Sequence, residues 1–314
     1  MDSSELQKLA QHSRFMREAG FALIVSSLLL AFFLFVPISF KQASAPAVAA
    51  EPAVPDAFAD LSLEAKAAVV YDLSTKQVLY AKSADAQLPL ASLTKLLTVY
   101  AALTTLAPDT PITIDAEATR LEAPHLFNVG QTFSLTDLAR LTLTASLNDG
   151  AAAIARATAL RENRSENAAL AGAAAALDLS QTYAVNGSGL DESSALSGGY
   201  GSALDLARLA GALVARAPDI AAATTHSSAH ATSAGGTSYT VKNTDPIVGT
   251  LPRLLLSKTG YTELAGGNLA LVFDSGMNHP IAVVVLGSSK TSRFTDGETL
   301  VEATLAHFAG VTPL

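Results

Sequence analysis

Three short clusters in the chain place hydroxyl, amine and amide side chains at spacings that could move protons. In Ser92-Leu93-Thr94-Lys95 the serine and the lysine stand at i and i+3. On a helix these positions share a face, so Ser92 Oγ and the Lys95 amine come within hydrogen-bond reach. Partial burial at a helix N-terminus lowers a lysine pKa, through desolvation and the positive end of the helix dipole. A neutral Lys95 could then take the proton from an attacking Ser92 hydroxyl, and no catalytic histidine is needed. Taken singly the pattern is common, and a serine near a helix start followed by a solvated lysine is the bland reading.

The second cluster, Ser146-Leu147-Asn148, falls where one helix is expected to end and another to begin. A loop there could aim the Ser146 hydroxyl and the Asn148 amide into a cleft. Residues of these types just ahead of Gly150 would equally serve as helix caps, Asp149 among them. The third cluster, Lys258-Thr259-Gly260, closes the strand-like run that begins at Arg253. Glycine leaves room for a ligand to approach the strand backbone, while the lysine and threonine present donors to a carboxylate.

The elements that must hold these clusters can be read from hydrophobic pattern. Residues 67–72 and 77–81 are β-branched and aromatic runs separated by Leu73-Ser74-Thr75-Lys76, a hairpin pattern. Three more strand-like runs, 253–258, 268–274 and 281–287, follow near the other end, too closely spaced for parallel crossovers. Between the two sets, residues 96–106, 135–143, 150–160, 165–176 and 203–215 are Ala- and Leu-rich helices, with Ser134 placed as a cap, and 298–308 reads as a final helix. The expected fold is therefore mixed α/β (α+β): an antiparallel sheet of about five strands built from both chain ends, flanked by helices, with an all-helical subdomain inserted at about 102–215. The Ser/Thr/Ala/Gly stretch 222–236 reads as a surface loop or lid. His226 and His230 lie in it four residues apart, without a HExxH pattern, and are expected to be loop residues rather than metal ligands.

Composition narrows the classes. The chain has 314 residues, 49% of them hydrophobic and 15% charged, which excludes intrinsic disorder. A net charge of −8 offers no footprint for nucleic acid. The absence of cysteine removes disulfides, thiol nucleophiles and Cys-ligated metals. The uncharged run Phe21–Phe40 would span roughly 30 Å as a helix, enough to cross a bilayer. Lys8, Arg14 and Arg17 precede it and only Lys41 follows closely, which puts the N-terminus in the cytoplasm. An uncleaved signal anchor over 1–41 is the first reading, and cleavage near Ala47-Val48-Ala49, releasing a secreted enzyme, is the alternative. Residues 42–60, rich in Ala and Pro, would tether a catalytic domain over 61–314.

S-x-x-K, S-x-N and K-T-G in this order form the signature of penicillin-binding proteins and serine β-lactamases. The longer blocks AAVVYDLSTKQVLYAKSADAQLPLASLTKLLTVYAAL, FNVGQTFSLTDLARLTLTASLNDGAAAIA, VNGSGLDESSALSGGYGSALDLARLA and LLLSKTGYTELAGGNLALVFD resemble the D-alanyl-D-alanine carboxypeptidases of the low-molecular-weight penicillin-binding class, serine peptidase family S11. The resemblance runs from about Lys66 to the C-terminus. It implies that Ser92 forms an acyl-enzyme with Lys95 as base. Ser146 and Asn148 would relay protons and hold the substrate amide, Lys258 and Thr259 would take the terminal carboxylate beside Gly260, and the backbone N–H groups of Ser92 and Tyr261 would form the oxyanion hole. The implied substrate is a peptidoglycan stem peptide ending in D-Ala-D-Ala, with β-lactams as inhibitors, no cofactor and no metal, on the outer side of a bacterial cell membrane.

The chain also departs from the family pattern. Leu147 stands where S-G-N has glycine, and Gly187 where N-P-x-G-L-D has proline. Many relatives carry a basic residue upstream of K-T-G to help hold the carboxylate. Here the stretch is Asn243-Thr244-Asp245, so Lys242 or Arg253 would substitute, or neither. Many relatives add a C-terminal β-rich domain and an amphipathic anchor, and neither is expected from the residues after the last helix. Arg293 and Asp296 read as a structural pair. A β-lactamase or related esterase is the competing enzyme reading, although Glu166-Asn167-Ala168-Ala169-Leu170 does not match the E-x-x-L-N run that supplies a deacylating glutamate. A non-catalytic cell-wall-binding protein is the other alternative.

Overall fold

The computed structural model describes residues 2–35 and 56–311, which divide into two units with the boundary at Ala53 and Val54. The first is a helix, α1 (Ser3–Phe35). It starts well before the expected apolar run, and its stretch Ala10–Phe32, of mean hydropathy 1.6, is long and apolar enough to cross a membrane. The end of that run, the possible cleavage site and residues 42–55 of the proposed tether lie outside the described residues.

The second unit opens with a turn at Ala57–Asp60 whose Phe58 is buried against the rings of Tyr80 and His307. In chain order it continues with β1 (Ala67–Asp72), β2 (Val78–Lys82), β3 (Leu88–Pro89), a 3-10 turn Ala91–Leu93 and α2 (Thr94–Thr105). Next come β4 (Pro111–Thr113), β5 (Thr132–Ser134), α3 (Leu135–Ala145), α4 (Asn148–Glu162), α5 (Glu166–Ala176), β6 (Tyr183–Ala184), β7 (Gly199–Gly201), α6 (Ala203–Arg216) and α7 (Pro218–Ala223). The unit closes with β8 (Ser228–Thr232), β9 (Ser238–Lys242), β10 (Leu254–Thr262), β11 (Gly266–Asp274), β12 (Pro280–Ser288) and α8 (Ser292–Ala309).

Five strands form one antiparallel sheet in the order β10-β11-β12-β1-β2, so the two chain ends meet at the β12–β1 pairing. The inner strands β11, β12 and β1 read as nearly unbroken apolar runs because both faces are covered. Alternate residues divide between two cores: Val69, Val272 and Val284 pack with α6 and the helical insert, whereas Val70, Leu271, Phe273 and Val283 pack with Leu300 and Val301 of α8. Within the insert β4 pairs with β5, and β6 and β7 join β3 in a three-stranded sheet, while the β8–β9 hairpin follows it.

The stretch 222–236 is no lid. Ser228–Thr232 pairs with Ser238–Lys242 as a hairpin, turned at Gly236 with φ 83. Its alternation is real but written in small residues: Ala229 turns inward, while His230 reaches across to Thr240 with Nδ1 2.7 Å from the hydroxyl. Alanine and serine carry little strand signal, which hid the period of two.

Candidate active site

The 3-10 turn that carries Ser92 runs directly into α2. Ala91, the first residue of that turn, is left-handed with φ 47, a conformation that costs a non-glycine residue of order 1 kcal/mol. Ser92 is half-buried and Lys95 fully so, at 0% exposure. Lys95 Nζ lies 2.8 Å from Ser92 Oγ, 2.8 Å from Asn148 Oδ1 and 2.7 Å from the Ser188 carbonyl oxygen. Two of these three neighbours can only accept. Asn148 Nδ2 is committed to the Glu122 carbonyl at 2.8 Å, which fixes Oδ1 toward the lysine. A neutral amine has two N–H bonds and one lone pair; with the N–H bonds given to Asn148 and Ser188, the lone pair faces Ser92 Oγ. Burial drives Lys95 well below the ordinary lysine range, the neighbouring Lys258 charge adds to this, and Asp149 opposes it.

The second cluster sits at the α3–α4 corner. Ser146 ends α3 in the left-handed region, φ 60 and ψ 36. Asn148 is the first residue of α4, and Leu147 ahead of it makes no side-chain cap. Leu147 points into the hydrophobic core at 4% exposure, so it fills space beneath the corner rather than narrowing the cleft. Asp149 lies within the first turn of α4 rather than at its N-cap, and its Oδ1 accepts from Gly150 N at 2.8 Å. Its carboxylate accepts from the backbone N–H groups of Leu126 and Phe127 at 2.7 and 2.8 Å, and so pins the loop ahead of β5 to α4. Ser134, by contrast, caps α3 as its type and place suggest, accepting from Asp137 N.

The third cluster lies on β10, an edge strand of the sheet. Lys258 is 1% exposed and its Nζ donates to Ser146 Oγ at 2.9 Å and to the Thr259 carbonyl at 2.7 Å. Burial brings its pKa down to about 7, the Arg293 charge adding and Asp245 opposing. Gly260 faces the Ser92 turn so closely that a Cβ would stand 2.9 Å from the Leu90 carbonyl and 3.3 Å from Ser92 N. Only glycine permits that approach. Tyr261 is a third exposed, with its hydroxyl donating to Glu263 at 3.1 Å and its ring under Lys290, leaving its backbone beside Gly260.

Lysine, serine and asparagine from three separate motifs thus form two neighbouring groups of contacts, Ser92–Lys95–Asn148 and Ser146–Lys258. Several partners had no sequence signal of their own. The Ser188 carbonyl is delivered by a turn in which Asn186 Oδ1 accepts from Ser188 N at 3.1 Å and Gly189 N at 2.8 Å. Gly189 is left-handed, and a Cβ on it would strike the Ala91 carbonyl at 2.0 Å; one on Gly187 would meet Ala155 Cβ at 2.5 Å. Asp245 is buried and accepts from Ser257 Oγ at 2.5 Å, and burial raises its pKa.

Neither basic substitute lies on the K-T-G face. Arg253 donates to the Asp274 carbonyl at the far end of β10, and Lys242 is exposed on β9. Arg293 is there instead, 7% exposed, with Nη1 2.6 Å from the Gly260 carbonyl. Asp296 holds the domain's start, accepting from Glu64 N, Ala65 N and Ser288 Oγ. Glu166 pairs with Arg156 at 3.8 Å, in a network with Asp115 and Glu117. His226 and His230 belong to no cluster of three or more His, Cys, Asp or Glu among the described residues.

The family model for D-alanyl-D-alanine carboxypeptidases matches residues 51–290, most of the chain. The chain belongs to this family. It is a serine-type D-Ala-D-Ala carboxypeptidase, a hydrolase of the penicillin-binding class. Among solved structures it is similar to penicillin-binding protein D2 of Listeria monocytogenes in its ampicillin-bound form, at 27% identity and TM-score 0.66 over 78% of this chain and 98% of that one. The fold also matches a D-alanyl-D-alanine carboxypeptidase of Mycobacterium tuberculosis, at 24% identity and TM-score 0.66 over 80% and 91% of the two chains. A carboxypeptidase of Francisella tularensis shares 20% identity at TM-score 0.71 over 85% and 76%. No curated protein matches the chain by sequence.

Proposed function

We propose that the carboxypeptidase removes the terminal D-Ala from peptidoglycan stem peptides through an acyl-enzyme on Ser92. The observation that supports this most directly is the environment of Lys95. Its two obligatory acceptors leave the lone pair of the neutral amine 2.8 Å from the Ser92 hydroxyl. Ser92 Oγ attacks the carbonyl carbon of the penultimate D-Ala as its proton passes to Lys95 Nζ. The backbone N–H groups of Ser92 and Tyr261 receive the developing oxyanion, a role consistent with the close approach at Gly260. The C–N bond then breaks, and a proton relayed through Ser146 completes the amine of the departing D-Ala. Asn148 holds Lys95 and the substrate amide. Lys258 and Thr259 bind the terminal carboxylate, with Gly260 leaving room for it. Water then adds to the ester carbonyl, Lys95 again takes the proton, and Ser92 is released with the shortened peptide. β-Lactams present the same carboxylate and a strained amide, and stop at the acyl stage.

We place the catalytic unit on the outer side of a bacterial cell membrane, held by α1 as a single-pass anchor. Support comes from the length and hydropathy of α1, whose uncharged stretch begins at Phe21, and from the basic residues Lys8, Arg14 and Arg17 ahead of that stretch.

The test uses the full-length protein in detergent, incubated with benzylpenicillin and, separately, with a D-Ala-D-Ala peptide. Intact-protein mass should show a long-lived adduct that Ser92→Ala lacks, together with D-Ala release by wild type. Rapid loss of the adduct with penicillin turnover would instead identify a β-lactamase, and no adduct with no turnover would remove Ser92 as nucleophile.

A further inference from the structure

The face of β10 that carries Thr259 is lined by a segment to which the sequence assigned no role. Successive strand residues alternate in direction: Lys258 and Gly260 face Ser146 and the Ser92 turn, while Ser257 and Thr259 face the segment Asn243–Asp245. Asp245 takes the Ser257 hydroxyl at 2.5 Å, and one residue earlier Thr244 Oγ1 lies 2.6 Å from Thr259 Oγ1. The segment is tied down on its other side. Thr244 N donates to the Thr144 carbonyl at 3.2 Å, Asn243 N donates to the Ser227 carbonyl at 2.9 Å, and Asn243 Nδ2 reaches the Thr224 and His226 carbonyls at 2.7 and 2.8 Å. Thr244 is therefore a fixed hydroxyl. It is exposed at the outer lip of the cleft, whereas Thr259 beneath it is 4% exposed.

A pair of hydroxyls at this distance shares one proton between them, in either direction. An anion placed against Thr259 selects one direction: Thr259 donates to the anion, and Thr244 donates to Thr259. Each bond in such a chain strengthens the next. The surrounding charge favours the same arrangement, because the Lys258 ammonium and the Arg293 guanidinium lie on either side of Thr259, and Arg293 Nε has no partner.

We infer that Thr244 is a specificity-determining positioning residue for the free C-terminal carboxylate of the ligand, acting through the Thr259 hydroxyl. The inference rests on the acyl-enzyme reading above. It assigns to a hydroxyl relay the task that a basic side chain upstream of K-T-G would otherwise perform. A ligand bearing a free carboxylate gains from the relay, and one whose carboxylate is esterified does not.

The test compares benzylpenicillin with its methyl ester as acylating agents of the full-length protein, following adduct mass against time and concentration. Thr244→Val should lower the second-order acylation rate for the free acid about five-fold, the loss of one neutral hydrogen bond behind the Thr259 hydroxyl. The loss should lie in the saturation constant rather than in the limiting rate, with the ester rate held within about two-fold. Thr244→Ser should restore the acid rate, and Thr244→Ala, which adds no methyl group, should give the same acid-to-ester ratio as Val. An equal fall for both ligands, or no fall for the acid, overturns the inference while leaving the acyl-enzyme reading intact. Absence of any wild-type adduct with either ligand overturns the acyl-enzyme reading, and the inference with it.

Discussion

Two lysines occupy the centre of this molecule, and both are buried, yet their surroundings prepare them for opposite work. Lys95 stands on a helix among neutral oxygens, two of which can only accept, so its one reversible contact is with Ser92. Lys258 stands on a strand among charges, with Arg293 pushing its proton off and Asp245 holding it on. Burial alone would make both neutral. What separates them is direction: the first environment orients a lone pair, and the second balances a charge near the point where it is useful. Identical side chains in one cleft thus acquire different chemistry, one from its hydrogen-bond partners and the other from charged neighbours.

The contrast is broken most sharply at Lys95. Lys95→Arg places a guanidinium that does not deprotonate, and Lys95→Ala removes the base. Either should slow penicillin acylation of Ser92 by about 10⁴-fold, measured by adduct mass, without abolishing folding in the alanine variant. Asn148→Ala removes one obligatory acceptor and frees the amine to rotate. A loss near 10²-fold is expected, the usual penalty for a catalytic group misplaced by about an ångström.

Lys258 is sharpened by pH. Its ammonium is present below about 7 and lost above it. The acylation rate with a carboxylate-bearing β-lactam should therefore fall as pH rises through that value, by roughly ten-fold per unit at the steepest, while the methyl ester lacks this alkaline limb. The stability sign is the reverse. Between about 7 and the ordinary lysine value of 10.5 the unfolded chain binds more protons than the folded one, so stability gains from rising pH over that window. Lys258→Met should flatten the slope in denaturation curves. The smallest catalytic effect is expected at Leu147: Leu147→Ala should cost about 2–5 kcal/mol of stability, because it opens a core cavity, and change acylation less than about two-fold.

Much of the fold could be read from the sequence. The inner sheet strands are rich in β-branched and other apolar residues, and the apolar period of α3 and α6 is clear, so these elements and the antiparallel pairing of close neighbours followed from pattern and spacing. The helix over 298–308 proved longer, starting at Ser292, since its first turn is polar and signals loop. The β8–β9 hairpin was missed because β8, Ser228-Ala229-His230-Ala231-Thr232, carries little strand signal, which left Tyr239-Thr240-Val241 of β9 without an evident partner. At the site, the motif residues were legible by type, but their partners were not. A backbone carbonyl such as that of Ser188 has no letter, and Asp149 looked like a cap because an aspartate before a glycine usually is one. Asp245 and Thr244 gain meaning only from lying alongside β10, a long-range adjacency that no local pattern encodes. Leu147 was ambiguous for the same reason, and its core contacts resolve it.

The backbone interlock around Ala91 also bears on when activity first appears as the chain folds. Gly189 and Gly260 fit against the Ala91–Ser92 turn with no space for a side chain, and they lie roughly 100 and 170 residues downstream of it. Such distant pairings close late, after the local helices have formed. Penicillin capture during refolding should therefore lag behind the return of helical signal and track the last packing step. The reactive serine then doubles as a chemical timestamp for the native state.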